Sequence, residues 1–239
     1  MGNDSDSLTG LWTRFLPVTL SLQHHLFEKK TIGAVERVYV DFSLNVGIRE
    51  MSPSHRLKDP ALGGGALLDL GIYSLTLASL ALGYKKLGSD YPTPKVHAVL
   101  NIKDGVDYSN TTILTYPYTS NGADATAICT SSMLQRTGRN FMRIEGTDGT
   151  IVMFGGAASI PQGFRVLKKA NPEGYEDVKE EFKFEHPGTG WHFEADAVAL
   201  DLQAGKKENS IIPLEETMRI MRLLDEIRRQ GGLFYEQDK

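Results

Sequence analysis

The sequence predicts an α+β domain in which a mostly antiparallel sheet is covered on one side by helices. Strand-like segments follow one another closely from residue 95 to residue 184, with no room for a helix between them. Parallel strands need long crossover connections, so strands spaced this closely have to pair mainly in antiparallel fashion. Apolar or amphipathic stretches before and after this region predict the helices that cover the sheet.

The first part of the chain predicts a helix, a strand and a second helix. Val18, Leu22 and Leu26 recur at helical spacing within residues 17–29, and residues 31–33 end that pattern. Residues 38–46 alternate apolar and polar side chains, which is typical of a strand with one buried face. A loop over residues 49–60 and a glycine-rich turn then lead into a buried helix over residues 66–82.

The second part predicts a run of strands followed by two helices. The predicted strands are residues 95–102, 111–118, 125–133, 141–145, 150–154, 163–168 and 178–184. The first closing helix covers residues 191–204. The second has Pro213 in its first turn and Arg228 and Arg229 near its end, before the glycines at 231 and 232, so its start, charges and stop agree.

Composition excludes several classes of partner. The 239 residues carry a net charge of −4 with scattered basic residues, so we expect no nucleic-acid partner. The most apolar stretch is interrupted by polar residues and falls short of a membrane span of about 20 residues, so we expect no membrane partner. A single cysteine, Cys129, excludes an internal disulfide, and residues 1–7 do not resemble a secretory signal. We therefore expect a cytoplasmic protein.

The most informative motif covers residues 63–73, where three glycines precede a helix that carries Asp69 and Tyr73 four positions apart. This spacing places both polar groups on one face of an apolar helix, where an unpaired carboxylate is costly. Either the pair performs proton chemistry, or Tyr73 is a buried phenol satisfied by Asp69. The glycines at 63–65 lack the spacing of a dinucleotide-binding fingerprint, so we expect a tight turn or a close backbone approach there.

The histidines do not predict a metal site. His24 and His25 are adjacent on a helix and point in different directions, so we expect a solvated face and no metal. His192 either lines a pocket or is an ordinary residue at a helix end. Cys129 lies in a strand without a basic neighbour in sequence and is expected to be a buried thiol.

Several motifs in order resemble the C-terminal, substrate-side domain of the Gfo/Idh/MocA oxidoreductase superfamily. These motifs are residues 11–17, 32–33, 63–73, 146–151, 187–190, 194–197 and 221–232. The resemblance is greatest to the branch that contains dimeric dihydrodiol dehydrogenases and NADP-dependent D-xylose dehydrogenases. It covers residues 11–239, whereas residues 1–10 form a leader unlike the family.

The resemblance implies a role for each candidate residue. Tyr73 occupies the place of the catalytic proton-transfer residue, with Asp69 beside it to orient or polarise it. Trp12 and Arg14 would contact the cofactor at an interdomain cleft, the alternative being a core Trp and a surface Arg. Gly64, Gly65 and His192 would line the substrate site.

The resemblance also implies a function and partners. Family members bind NAD(P) with an N-terminal Rossmann domain that ends in a catalytic Lys, and we expect neither in this chain. The implied activity is NADP-dependent oxidation of a sugar such as D-xylose or of a trans-dihydrodiol, with dimers formed through the sheet face. The chain alone is expected not to bind NADP tightly. It is either a fragment of such a dehydrogenase or a non-catalytic sugar-binding or dimerising regulatory subunit.

Overall fold

A computed structural model describes residues 10–83, 93–117, 122–169, 174 and 177–238. Within these ranges the chain forms one sheet of eight strands. The strands are β1 Val35–Ser43, β2 Lys95–Lys103, β3 Val106–Tyr116, β4 Ala125–Ser132, β5 Asn140–Gly146, β6 Gly149–Ala157, β7 Ile160–Lys168 and β8 Val178–Lys183. Nearly all of the predicted leader, the loop over residues 84–92 and the end of the predicted strand at Tyr118 lie outside the described residues.

The helices lie before, between and after the strands. They are a 3-10 turn at Trp12–Phe15, α1 Pro17–Gln23, a 3-10 turn at Pro60–Leu62, α2 Ile72–Gly83, α3 His192–Gln203, α4 Leu214–Gly231 and a 3-10 turn at Glu236–Asp238. Two π-helical turns extend these elements. His24–Glu28 continues α1, and Leu67–Gly71 precedes α2.

The sheet order is β2-β3-β4-β1-β5-β6-β7-β8. β1 inserts between β4 and β5, pairing in parallel with β4 and antiparallel with β5. The remaining neighbours pair antiparallel. The predicted α+β class with a mostly antiparallel sheet is therefore confirmed, and β1 with β4 is the one parallel pair among the described strands.

One face of the sheet is buried under the helices. Its central row of paired side chains is Cys129, Val40, Met142, Met153 and Phe164, all buried. Helix α2 packs on β1 and β4, α1 packs on β7, and α4 packs on β2. These contacts fix where α2, and hence Tyr73 in its first turn, sits relative to the sheet.

The stretch Pro60–Gly83 is the one described helical segment that is long and apolar enough to cross a membrane. In this fold, 72% of its most apolar part is buried against the rest of the domain. Because the sheet and α4 surround it, its environment is that of a core helix.

Four strands differ from the prediction by three residues or more at one or both ends. β6 ends three residues later and β7 begins three residues earlier than expected. β1 begins and ends three residues earlier than expected, since Gly47 with a φ of +67° starts the following turn. β3 begins at Val106, whereas the sequence predicted a start at residue 111. Asp104 and Gly105 both have positive φ and form a tight turn between β2 and β3, so the polar residues after them already belong to the strand.

The predicted solvated face at His24 and His25 is wrong for His25. The π-helical turn rotates His25 into the core, where it is only 4% exposed. Its ring lies 4.5 Å from the ring of Phe182 and 5.3 Å from that of Phe164, and its Nδ1 lies 3.0 Å from Oγ1 of Thr31. Burial lowers the pKa of His25, as do the nearby Lys29 and His24, whereas Glu180 opposes the shift.

The lowered pKa of His25 predicts acid sensitivity. Below pH ~6.5 the unfolded chain takes up a proton at His25 that the folded state resists, so the free energy of unfolding falls as the pH drops. Urea unfolding at pH 7.5 and pH 5.5 should show a larger loss for the wild type than for His25→Gln, which cannot titrate. Equal losses in both proteins would contradict this account.

Candidate functional site

The position of Tyr73 is set by a buried carboxylate that the sequence analysis missed. Asp107 on β3 accepts the backbone N–H of Leu67 at 3.0 and 3.2 Å, and the amide of Asn110 donates to it at 2.9 Å. Burial raises the pKa of Asp107, although these hydrogen bonds oppose the rise. Asp107 thus caps the π-helical turn that leads into α2. In the sequence, Asp107 is only a polar residue beside a turn, and nothing near it indicates the contact with Leu67.

The glycine triplet allows a close backbone approach at this cap. Gly63 and Gly65 have φ of +66° and +119°. A Cβ on Gly64 would lie 2.8 Å from the carbonyl of Leu57, and one on Gly65 would collide with the carboxylate of Asp107. The carbonyl of Gly64 accepts the hydroxyl of Tyr235 at 2.6 Å. Gly64 and Gly65, predicted to line the substrate site, therefore pack against the protein's own backbone and carboxylate.

Tyr73 lies half-buried at the start of α2. Its hydroxyl oxygen accepts the indole N–H of Trp12 at 3.3 Å, and its ring lies 5.4 Å from that of Phe42, edge to face. Burial raises the pKa of Tyr73, the charges of Asp69 and Glu194 raise it further, and the hydrogen bond from Trp12 opposes them. The phenol is therefore neutral, and no acceptor among the described residues takes its proton.

Asp69 is paired elsewhere. Its carboxylate accepts from the guanidinium of Arg56 at 2.6 Å in a partly exposed ion pair. The phenol of Tyr73 is hydrogen-bonded to Trp12 and not to Asp69. The alternative of a buried phenol satisfied by Asp69 does not match this geometry. The π-helical turn that ends at Gly71 changes the spacing between the two side chains, and Asp69 acts on Tyr73 through its charge.

The first turn of α3 meets Trp12 and Tyr73. The indoles of Trp12 and Trp191 lie 6.1 Å apart, edge to face, and Trp191 is 63% exposed. Phe193 packs in a cluster with Tyr73, and the ring of His192 lies 4.2 Å from that of Phe193 on the exposed side. The structure thus brings Trp12 and Tyr73 together and leaves His192 at the rim.

Glu194, in the same turn, was noted only as part of a motif. Its Oε1 is buried without a hydrogen-bond partner in the described part of the chain. Burial raises the pKa of Glu194. We call the region of Trp12, Tyr73 and Glu194 the candidate site. The Nε2 of His186, whose ring lies 6.1 Å from that of Phe193, is also buried without a hydrogen-bond partner among the described residues.

Arg14 is buried, so the alternative of a surface Arg is wrong. Its guanidinium donates to Glu216 at 2.6 Å and to the carbonyl of Ile211 at 2.7 Å, while its Nε has no partner. Burial opposes ionisation of Glu216, but Arg219 and Arg14 outweigh it and lower the pKa of Glu216. To contact a cofactor, as predicted, the guanidinium of Arg14 would have to leave Glu216 and the carbonyl of Ile211.

In the described ranges no three His, Cys, Asp or Glu side chains cluster closely enough to hold a metal ion.

A groove and a buried thiol lie away from the candidate site. A shallow groove of about 430 Å³ lies on the uncovered face of the sheet, where Tyr39, Asp41 and Arg143 contribute to its lining. Cys129 is buried as expected, and burial raises its pKa to about 12.

A family model decides the classification. The model of the GFO/IDH/MocA C-terminal domain matches residues 23–152, more than half of the chain. The chain belongs to this family. The resemblance inferred from the sequence motifs is thereby confirmed.

Characterised relatives are dehydrogenases. The chain is 29% identical to D-xylose 1-dehydrogenase (NADP(+)) of Hypocrea jecorina over 96% of its own length and 61% of that protein. It is 32% identical to trans-1,2-dihydrobenzene-1,2-diol dehydrogenase of Bos taurus over 97% of its length and 64% of that protein. It therefore spans somewhat more than three fifths of these relatives.

Solved structures share the fold. The aldose-aldose oxidoreductase of Caulobacter crescentus, solved with glycerol, superposes with a TM-score of 0.70 at 22% identity, covering 95% of this chain and 62% of that one. A levoglucosan dehydrogenase solved with NADH and levoglucosan superposes with a TM-score of 0.70 at 16% identity, covering 95% and 64%.

The cap on the π-helical turn predicts the effect of one glycine substitution. Gly65→Ala should lower the free energy of unfolding by about 2 kcal/mol or more, because it combines an unfavourable φ with a collision against Asp107. Gly138→Ala is the matched control, since its Cβ would meet open space. Urea unfolding of both variants measures the difference, and equal small losses would show that the turn can relax.

Proposed function

We propose that this chain forms the substrate-side domain of an NADP-dependent oxidoreductase that oxidises a hydroxyl group of a sugar such as D-xylose or of a trans-dihydrodiol. The observation that carries the proposal is the phenol of Tyr73, held by Trp12 with its proton available, in a chain of this family. The names of the relatives supply the substrate classes.

The proposed role of Tyr73 is to bind the substrate hydroxyl and to exchange a proton with it. The chemistry that a bound NADP would supply is acceptance of the hydride from the carbinol carbon. A phenol has an ordinary pKa of about 10, and the pKa of Tyr73 is raised further by burial, Asp69 and Glu194, so Tyr73 donates a hydrogen bond to the substrate oxygen. Accepting a proton near neutral pH requires a neighbouring cation, which the family resemblance assigns to a Lys of the dinucleotide domain.

The side chains around Tyr73 fit the flat nicotinamide ring of NADP better than its phosphate groups. The indoles of Trp12 and Trp191 offer an aromatic surface beside Tyr73, and we propose that Trp12 lies against the nicotinamide or the substrate. The guanidinium of Arg14 is occupied by Glu216 and Ile211, so we assign Arg14 to positioning Trp12. Tight binding of the dinucleotide is proposed to fall to a separate Rossmann domain and not to residues 11–239.

We further propose a cytoplasmic homodimer formed through the uncovered face of the sheet, with no nucleic-acid or membrane partner. Val99 and Ile113 are exposed on that face, and Tyr39 and Ile128 line the groove there. Apolar side chains on an open sheet face favour burial against a second copy.

The test is the turnover of Tyr73→Phe. The chain should be joined to the dinucleotide domain of the Bos taurus relative and assayed for NADP reduction with D-xylose and with trans-1,2-dihydrobenzene-1,2-diol. Tyr73→Phe should lower turnover by about 10²-fold or more, because the positioned phenol that exchanges a proton with the substrate hydroxyl is lost. Tyr39→Phe, a phenol on the opposite face of the sheet, should have no effect.

Two results would overturn the proposal. Equal turnover of Tyr73→Phe and the unmodified fusion would demote Tyr73 to packing. Binding of sugar without turnover in a fusion that binds NADP would favour the non-catalytic regulatory subunit.

A further inference from the structure

The residues that follow α4 are held tightly against the domain. Residues 233–238, which we call the C-terminal clasp, bury Leu233 and Tyr235. Both carboxylate oxygens of Asp238 accept from the guanidinium of Arg228, at 2.5 and 3.0 Å, and one of them also accepts the backbone N–H of Tyr235 at 2.8 Å. The same guanidinium lies over the ring of Tyr235, 5.1 Å from its centre. The clasp therefore has a defined conformation of its own.

The clasp reaches the glycine triplet that precedes α2. The hydroxyl of Tyr235 donates to the carbonyl of Gly64 at 2.6 Å in a buried hydrogen bond. The side-chain amide of Gln237 donates to the carbonyl of Ala61 at 2.9 Å nearer the surface. The 3-10 turn within the clasp also packs on the 3-10 turn Pro60–Leu62. Two side chains of the clasp thus hold the backbone that leads into α2.

Tyr235 fixes the orientation of one peptide group in the glycine triplet. The carbonyl of Gly64 and the N–H of Gly65 belong to the same peptide bond. The carbonyl accepts from Tyr235, and the N–H donates to the carbonyl of Leu57 at 2.9 Å. A planar peptide held at both ends cannot rotate without breaking one of these bonds. Because glycines flank it, its orientation depends on the hydrogen bonds and not on side-chain packing.

This peptide lies against the cap of the turn before Tyr73. A Cβ on Gly65 would collide with the carboxylate of Asp107, the same carboxylate that accepts the N–H of Leu67. Burial and the nearby charge of Asp107 raise the pKa of Tyr235 to about 12, so its hydroxyl keeps its proton and donates at neutral pH. A rotation of the peptide would displace the carboxylate that caps the π-helical turn.

We propose that the C-terminal clasp positions Tyr73, with Tyr235 as the positioning residue. The hydroxyl of Tyr235 holds the peptide that follows Gly64, and this peptide keeps Asp107 in place. Asp107 in turn fixes the start of the helix that carries Tyr73. Loss of the hydroxyl lets the turn open and moves the phenol of Tyr73 away from the indole N–H of Trp12. The positioning is a property of this domain by itself, and its effect on turnover rests on the proposed function.

The first test is amide hydrogen exchange, measured by NMR on the purified 239-residue chain. In Tyr235→Phe the exchange rate of the Leu67 amide, divided by that of the Ile144 amide in β5, should rise about tenfold, as expected for one lost hydrogen bond. Tyr116→Phe is the matched control, because it removes a buried hydroxyl 3.2 Å from that of Ser79, late in α2. It should leave the ratio unchanged, since a general loss of stability speeds both amides together.

The second test follows the NMR signal of the indole N–H of Trp12, which donates to the hydroxyl of Tyr73. In Tyr235→Phe this signal should move toward its position in Tyr73→Phe, and in Tyr116→Phe it should stay where it is. An unchanged exchange ratio in Tyr235→Phe, or a Trp12 signal that does not move, would overturn the positioning role. The clasp would then be a simple anchor for the end of the chain.

Turnover of the fusion with the dinucleotide domain separates this role from the proposed function. Tyr235→Phe should lower kcat about tenfold or more through misplacement of Tyr73, with an unchanged KM for NADP. Unchanged kcat in Tyr235→Phe, when Tyr73→Phe has lost its activity, would overturn the effect of the clasp on catalysis alone. Full turnover in Tyr73→Phe would overturn the proposed function, and the two NMR measurements would still decide whether the clasp positions Tyr73.

Discussion

The buried ion pair between Arg14 and Glu216 is the interaction on which the candidate site depends. It joins residues 202 positions apart in sequence, and both side chains are only 4% exposed. The guanidinium also holds the carbonyl of Ile211, just before α4. Arg219 also donates to both carboxylate oxygens of Glu216, so loss of Arg14 would leave Glu216 one cationic partner. Loss of the Glu216 carboxylate is the costly change, because the buried guanidinium of Arg14 then has no counter-charge. The pair therefore fixes the 3-10 turn Trp12–Phe15 against the last helix.

The consequences of this anchoring reach Tyr73 through Trp12. Trp12 lies two residues before Arg14, and its indole N–H donates to the Tyr73 hydroxyl. On the other side of Tyr73, Asp107 caps the π-helical turn before α2 and so fixes the start of the helix that carries Tyr73. The phenol proton of Tyr73 and the Oε1 of Glu194 have no hydrogen-bond partner among the described residues.

Local patterns in the sequence were enough to predict most of the fold. Alternation over residues 38–46 predicted β1 to within three residues, and the apolar run after the glycine triplet predicted α2, because burial periodicity is a property of neighbouring residues. Tyr73 was singled out by its spacing from Asp69 and Trp12 by the family resemblance, and the structure brings the two side chains into contact. The parallel pairing of β1 with β4 could not be predicted, since no local pattern encodes the partner of a strand.

What the sequence did not reveal are polar partners that meet across the fold. Asp107 looked like a turn residue, yet it caps a helix 40 positions earlier in the chain. Arg14 looked like a surface or cleft residue because Glu216 lies at the other end of the sequence. His25 looked solvated because the π-helical turn that rotates it inward has no signature in residue spacing. In each case the deciding energy is burial or long-range pairing, which appears only when the chain is folded.

The most direct test of this account is the free energy of unfolding across the Arg14 and Glu216 pair, measured by urea denaturation. Glu216→Gln should cost about 3 kcal/mol or more, because it leaves the buried guanidinium of Arg14 facing a neutral amide. Adding Arg14→Met should restore at least about 1 kcal/mol, since the uncompensated charge is removed. A cost below about 0.5 kcal/mol for Glu216→Gln, with no recovery in the double variant, would contradict the claim that this ion pair holds the site together.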